Sequence, residues 1–303
     1  MTGTYSGELS DEAKRALSHL FPLIGRWRQR MESAPTPPEA GSSLLKDDQA
    51  AHPYLVSQAV SAQLVSAADH WDAFRVLLQE ARVVHARAPF TLLRAAIENS
   101  AAAVWLLAPA SRDTRILRRL RLEWKNFLDQ ENAEELVTGQ SQTSRADRKA
   151  ELQRIARARG LSDDMISQVA SAPVSFRTIV RAAATDAPRC GLTDVQALYC
   201  WMAASGIAHA QRWAVINSSA LERATVPGAP EGSTRLALSA SGQALVGIAY
   251  VGSALTAEGW RLFDERRRSY LGQPLRCQPG TRRAGHRCAP LPRRDAKRWI
   301  SAG

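Results

Sequence analysis

The stretch FTLLRAAIENSAAAVWLLAP, residues 90–109, decides the fold. Its apolar residues Leu92, Leu93, Ile97, Val104 and Leu107 follow helical steps, not the two-residue alternation of a half-buried strand. Pro89 stands just before it, where a helix needs no backbone N–H, and Pro109 stops it. The spacing predicts a helix over 90–108. Two charges interrupt it. Arg94 and Glu98 are four apart and share one face, which Ala101 and Trp105 continue. A charged pair in such apolar surroundings is expensive unless each charge finds a partner.

The same periodicity extends outward. Val56, Val60, Leu64, Ala67, Trp71, Phe74 and Leu78 predict a helix over 54–88. Ser111 caps a helix over 112–137 through Ile116, Leu120, Trp124 and Phe127. Gly160 ends another, and Ser162-Asp163-Asp164 opens the next with acids on its positive end. Thr193 and Gln196 have capping-box spacing before a helix over 194–224, and a last helix covers most of 235–270. Ser10 caps an amphipathic helix over 10–27. No stretch reads as a sheet. The expected architecture is all-α: an antiparallel helical bundle over 53–271, an N-terminal helix within 1–32 on a Ser/Gly/Pro-rich linker at 33–52, and a basic tail over 272–303 without a fixed fold.

Composition agrees with a folded body. The chain has 303 residues, 45% apolar and 23% charged, which excludes wholesale disorder; four cysteines at this length exclude a disulfide scaffold. The net charge of +11 is local. Residues 266–303 hold eleven Lys/Arg and one acid, Asp295, and the preceding residues are near neutral. Such a tail attracts phosphate or anionic surfaces without sequence specificity. The N-terminus lacks the basic and apolar regions of a secretory signal, so a cytoplasmic chain is expected. Residues 236–257 carry no formal charge, but their serines and glycines fit a buried bundle helix better than a membrane span.

Three polar islands invite a chemical reading. The first is Arg94 with Glu98. The second is Ser205 with His209, on the stripe that Trp201 opens; no nucleophile elbow or fixed third member accompanies it. The third is Asp69-His70 with Asp72 and Arg75, which has no zinc or di-iron spacing. Cys190 and Cys200 lack a C-x-x-C partner, and Cys277, His286 and Cys288 lack a fourth ligand, so neither a metal nor another cofactor is expected. Arg112, Arg115, Arg118 and Arg119 stripe the helix after Ser111; they are either a solvated face or a surface for RNA or phosphate. The region around Gly160 looks like a helix-turn-helix, yet residues 162–175 carry two Asp and no Lys or Arg, which favours an ordinary helical hairpin.

R-x-x-x-E at Arg94 and Glu98, followed by S-x-x-x-H at Ser205 and His209, resembles a group of bacterial all-helical proteins similar to HEPN-type bundles. That resemblance implies a helical bundle, often a homodimer. Active members are metal-independent ribonucleases of toxin–antitoxin and phage-defence systems; others bind nucleotides or act as scaffolds. Active members also carry Arg, then four to six intervening residues, then His on one helix. Here positions 202–204 are Met202, Ala203 and Ala204, so that signature is absent. Two readings follow: a non-enzymatic scaffold associated with RNA or a nucleotide or serving as a defence partner, or a divergent ribonuclease. In the second, His209 is general acid or base and Arg94 stabilises the phosphate. Both expect Arg94, Glu98, Ser205 and His209 to converge in the bundle interior.

Overall fold

The computed structural model describes residues 9–34, 36–139, 144–225 and 234–269. The fold is an all-α bundle with one small hairpin. Its helices are α1 (Asp11–Ser18), α2 (Phe21–Glu32), α3 (Ser43–Ala51), α4 (Val56–Arg75), α5 (Ala88–Leu107), α6 (Arg112–Thr138), α7 (Arg145–Arg159), α8 (Asp163–Val169), α9 (Phe176–Asp186), α10 (Asp194–Ala208), α11 (Arg212–Ser218) and α12 (Gly242–Arg267). Strands β1 (Ser219–Thr225) and β2 (Thr234–Ala240) precede α12 and pair antiparallel, Leu221 opposite Leu238.

The apolar helix expected over 90–108 is the centre of the fold. α5 packs against α4, α12, α9 and α10, and its residues from Ser100 to Leu107 are all buried. By length and composition α5 could cross a membrane, but 67% of its most apolar window is buried inside the protein. Two glycines let α12 approach. A Cβ on Gly252 would stand 3.0 Å from Trp71 Cζ2, and one on Gly259 would stand 2.9 Å from Leu64 Cδ2. A smaller apolar cluster joins α6 to the α7–α8 hairpin through Ile116, Leu120, Trp124, Leu152, Ile155 and Val169. Gly160, at φ +80°, turns that hairpin. Ser10, Ser111 and Ser162 accept hydrogen bonds from backbone N–H groups of the helices they open, and Thr193 and Gln196 form both halves of a capping box.

The structure departs from the sequence expectations at four places. The helix expected over 10–27 breaks between Ser18 and Phe21, and both halves lie on the bundle, α1 against α12 and α2 against α4. They belong to one compact unit reaching Ser269, so they are not a tethered appendage. The linker expected at 33–52 contains α3, capped by Ser42, with Leu44 and Asp47 fully buried. The helix expected over 54–88 gives way after Arg75 to a π turn, Val76–Glu80, and Arg82 then takes φ +53°.

The helix expected over 194–224 ends at Ala208. Gln211 N–H donates to Gly206 C=O (2.7 Å) and Ala210 N–H to Ile207 C=O (3.1 Å), with Ala210 at φ +55°. This is a Schellman stop built on alanine where glycine is usual, so no sequence signal marked it. Residues 219–225 and 234–240 are therefore strand where helix was expected. Their backbones satisfy one another across an antiparallel ladder. The tail, 272–303, with its Cys277, His286 and Cys288, lies outside the described residues.

Two outcomes follow from these joints. Ala210→Gly removes the left-handed strain on a Cβ-bearing residue and raises stability by about 0.5–1 kcal/mol, read as a higher urea midpoint with unchanged slope. The second concerns α2 and α12. Burial alone would raise the Asp264 pKa, but Arg30 donates to both carboxylate oxygens (2.8 and 2.7 Å) and Arg267 donates to one (3.0 Å), which leaves it below the ordinary value. A depressed folded pKa contributes stability above the unfolded pKa and loses it as pH falls through the folded one. The Tm difference between wild type and Asp264→Asn should hold from pH 7 to about pH 5 and close below about pH 4.

Candidate functional site

The first island is real but small. On α5 the Arg94 Nη2 lies 3.1 Å from Glu98 Oε1, and both side chains are partly exposed. The α10 contribution is Trp201, whose indole N–H donates to the same Glu98 oxygen at 2.8 Å. Glu98 is thus a pin between two helices, charged through Arg94 and hydrogen-bonded through Trp201. Arg94 Nε is buried and makes no hydrogen bond among the described residues. A buried N–H without an acceptor is costly, so the seam is incompletely satisfied.

The second island does not complete it. Ser205 is half-buried on α10, one turn beyond Trp201, and its carbonyl accepts the His209 backbone N–H at 3.0 Å. His209 caps the end of α10 and is exposed. It does not lie in the bundle interior, because the Schellman stop ends the helix just before it. The interior constellation expected of four residues reduces to Arg94 and Glu98, joined by Trp201. The indole was visible in the sequence as part of the α10 stripe. Its role was not, since only the packing of α10 on α5 aims it at Glu98.

The arginine stripe on α6 is neither a solvated face nor an open phosphate surface. Arg115 is 2% exposed and Asp47 0%; Arg115 donates to both Asp47 oxygens, Nε to Oδ2 (2.6 Å) and Nη2 to Oδ1 (2.8 Å). Its Nη1 donates to the carbonyls of Pro109 (2.9 Å) and Ala110 (2.8 Å). Arg112 donates to Asp47 Oδ1 at 3.0 Å. Arg118 donates to the Trp105 carbonyl (2.7 Å), pairs with Asp186 (2.7 Å) and lies over the Trp105 ring. Arg119 donates to the Leu55 carbonyl (3.2 Å) and to Glu123 (2.8 Å). Arg266 completes the set: its Nε donates to the Leu107 carbonyl (2.5 Å) and Nη2 to that of Pro109 (2.9 Å), and burial pulls its pKa down to about 10. These guanidiniums neutralise the negative end of α5 and lock α3 and α6 onto the bundle. The partner that decides this, Asp47, sat unnoticed in the expected linker.

Asp69 is exposed, and Asp72 is held by Arg75. Among the described residues no three His, Cys, Asp or Glu side chains gather as a metal site. Burial raises the Cys190 thiol and lifts Cys200 to about 11, which makes both poor nucleophiles. No protein-family model, curated protein or solved structure matches this chain.

Proposed function

We propose that the chain is a non-enzymatic helical scaffold, of the HEPN-like kind its motifs resemble, that associates with RNA or a nucleotide through its basic C-terminal tail. One observation carries this reading: the expected convergence with His209 is missing, since Arg94 and Glu98 pair with each other and Glu98 with Trp201, while His209 sits exposed at a helix end. The positive charge of α6 is likewise engaged with Asp47, Glu123 and backbone carbonyls, so it offers little to phosphate. The surplus of basic residues lies beyond α12.

The test is an RNA-binding and cleavage assay on the whole chain. Binding without cleavage is expected, weakening as salt rises. Replacing the tail's basic residues by glutamine should flatten that salt dependence, whereas Arg112→Gln should leave it unchanged. Cleavage that His209→Gln abolishes at wild-type thermal stability would overturn the scaffold reading in favour of the ribonuclease.

A further inference from the structure

α10 is apolar on every side. Ala197, Ala203, Ala204 and Ile207 face the bundle and are buried, yet Val195 and Tyr199 on its other side are 65% and 56% exposed. A helix that is apolar all round is ordinarily covered all round. Val195, Tyr199, Met202 and Gly206 follow steps of four, three and four, so they form one stripe, with Met202 half-buried. α11 extends it. A Cβ on Gly206 would stand 2.5 Å from Ala214 Cβ and 3.1 Å from Trp213 Cζ2, so the bare glycine is what lets α11 fold back and lay Trp213 over the end of the stripe. Ile216, nearly a turn further along α11, is exposed as well. Val195, Tyr199, Trp213 and Ile216 are four of the eight large apolar side chains exposed among the described residues, and they run together along α10 and α11.

The charges beside the stripe are positive. Arg177 and Arg181, four apart on α9, border it, and both are exposed. Arg181 is held by Asp194 (2.9 Å) at the start of α10. Arg177 reaches the middle of the stripe, where its Nη2 donates to Met202 Sδ at 3.5 Å, a weak acceptor. Among the described residues no carboxylate pairs with Arg177, or with the exposed Arg212 beside Trp213. Tyrosine, tryptophan, methionine and arginine gathered on one surface are the composition of a protein–protein contact. A second copy of the chain fits poorly. A twofold contact opposes a patch to itself and would set Arg177, at the middle, against its own counterpart. The chain's own tail carries the same sign of charge. For a single-stranded nucleic acid the stripe is short of flat faces, since Val195, Met202 and Ile216 offer none on which a base could stack.

We propose that this stripe docks an amphipathic helix of another protein, its apolar residues laid along Val195, Tyr199, Met202 and Trp213 and its flanking Asp or Glu residues paired with Arg177 and Arg212. From Val195 to Gly206 the stripe runs about 17 Å, three turns of a partner helix. Apolar anchors at three- and four-residue steps match a stripe of the same period. Their burial removes apolar surface from water, and the acids orient the partner and discriminate against basic segments. The docking does not depend on the RNA association proposed for the tail; it gives the scaffold a protein ligand.

Selection against the full chain from a phage-displayed library of amphipathic helices, randomised on the apolar face and on its flanks, tests it. The enriched sequences should carry an apolar stripe flanked by Asp and Glu. Made as a synthetic peptide, the best of them should saturate one site. Tyr199→Ala with Trp213→Ala should weaken it by about tenfold or more. Arg177→Glu should weaken it too, and the same peptide with its acids changed to lysine should regain affinity for that variant. Circular dichroism checks the aromatic double variant. Arg177 is exposed and bonds only the Met202 sulfur among the described residues, so the charge swap carries the test if the double variant is altered. A library that yields no saturable binder, flanks enriched in lysine and arginine, or an affinity unchanged in Arg177→Glu would each overturn the proposal. So would self-association in sedimentation that the aromatic double variant abolishes, or an oligouridylate that displaces the peptide, since the occupant would then be a second copy or a nucleic acid.

Discussion

Asp47→Ala should lower the unfolding free energy by about 3–5 kcal/mol. Asp47 is fully buried, and Arg112 and Arg115 both donate to it. Removing the carboxylate leaves the Arg115 guanidinium buried without its counter-charge. The remaining acceptors, the carbonyls of Pro109 and Ala110 and the Ser43 hydroxyl, serve three of its five N–H groups and leave Nε–H, one Nη2–H and the charge itself without a partner. The loss should be partly recovered by adding Arg115→Met, which withdraws the orphaned charge and keeps the apolar volume. Urea denaturation of the two variants beside wild type is the measurement. A loss under about 1 kcal/mol for Asp47→Ala would mean that the pair behaves as a surface bridge and that α3 does not anchor α6.

Trp71→Ala should cost a comparable amount, about 3–5 kcal/mol. Trp71 is fully buried, 5.7 Å centroid to centroid from Trp27 on α2 and 5.7 Å from Phe74. Its ring also fills the space beside Gly252 on α12, 3.0 Å from where a Cβ there would stand, so its loss opens a void among three helices. Its indole N–H donates to Thr256 Oγ1 at 2.9 Å, and Thr256 in turn donates to the Gly252 carbonyl at 2.8 Å. With the Thr256 proton committed there, Ser100 donates to Thr256 at 2.7 Å. Trp71→Phe separates the two contributions: it keeps most of the volume and removes the donor, and about 1–2 kcal/mol is expected from the lost bond and the smaller ring. If Trp71→Ala and Trp71→Phe cost the same, the hydrogen bond and not the packing dominates.

Much of this fold is legible in the sequence because helix formation is local. Apolar residues at three- and four-residue steps, Ser and Thr caps, Pro89 at a helix start and Gly160 at a helix end all act within a turn of themselves. They place α5 and α6 with little error, mark the end of α7 and the start of α8, and identify the all-α class. Arg94 and Glu98 are legible for the same reason, since i and i+4 are neighbours on any helix.

What remained hidden depends on contacts between distant residues. α3 is short and weakly patterned, and it holds its place through Leu44 and the Asp47–Arg115 pair, 68 residues apart. The same pair turned an expected surface stripe of arginines into an internal clamp. The stop at Ala210 uses an alanine in a glycine conformation, which no local preference announces, and that stop put His209 outside the bundle. Residue types and spacings determined which helices form and which charges needed partners. Only the packing of α3 on α6 and of α10 on α5 decided who those partners are, because a buried charge is satisfied by whatever the tertiary fold brings within hydrogen-bond reach, regardless of its distance along the chain.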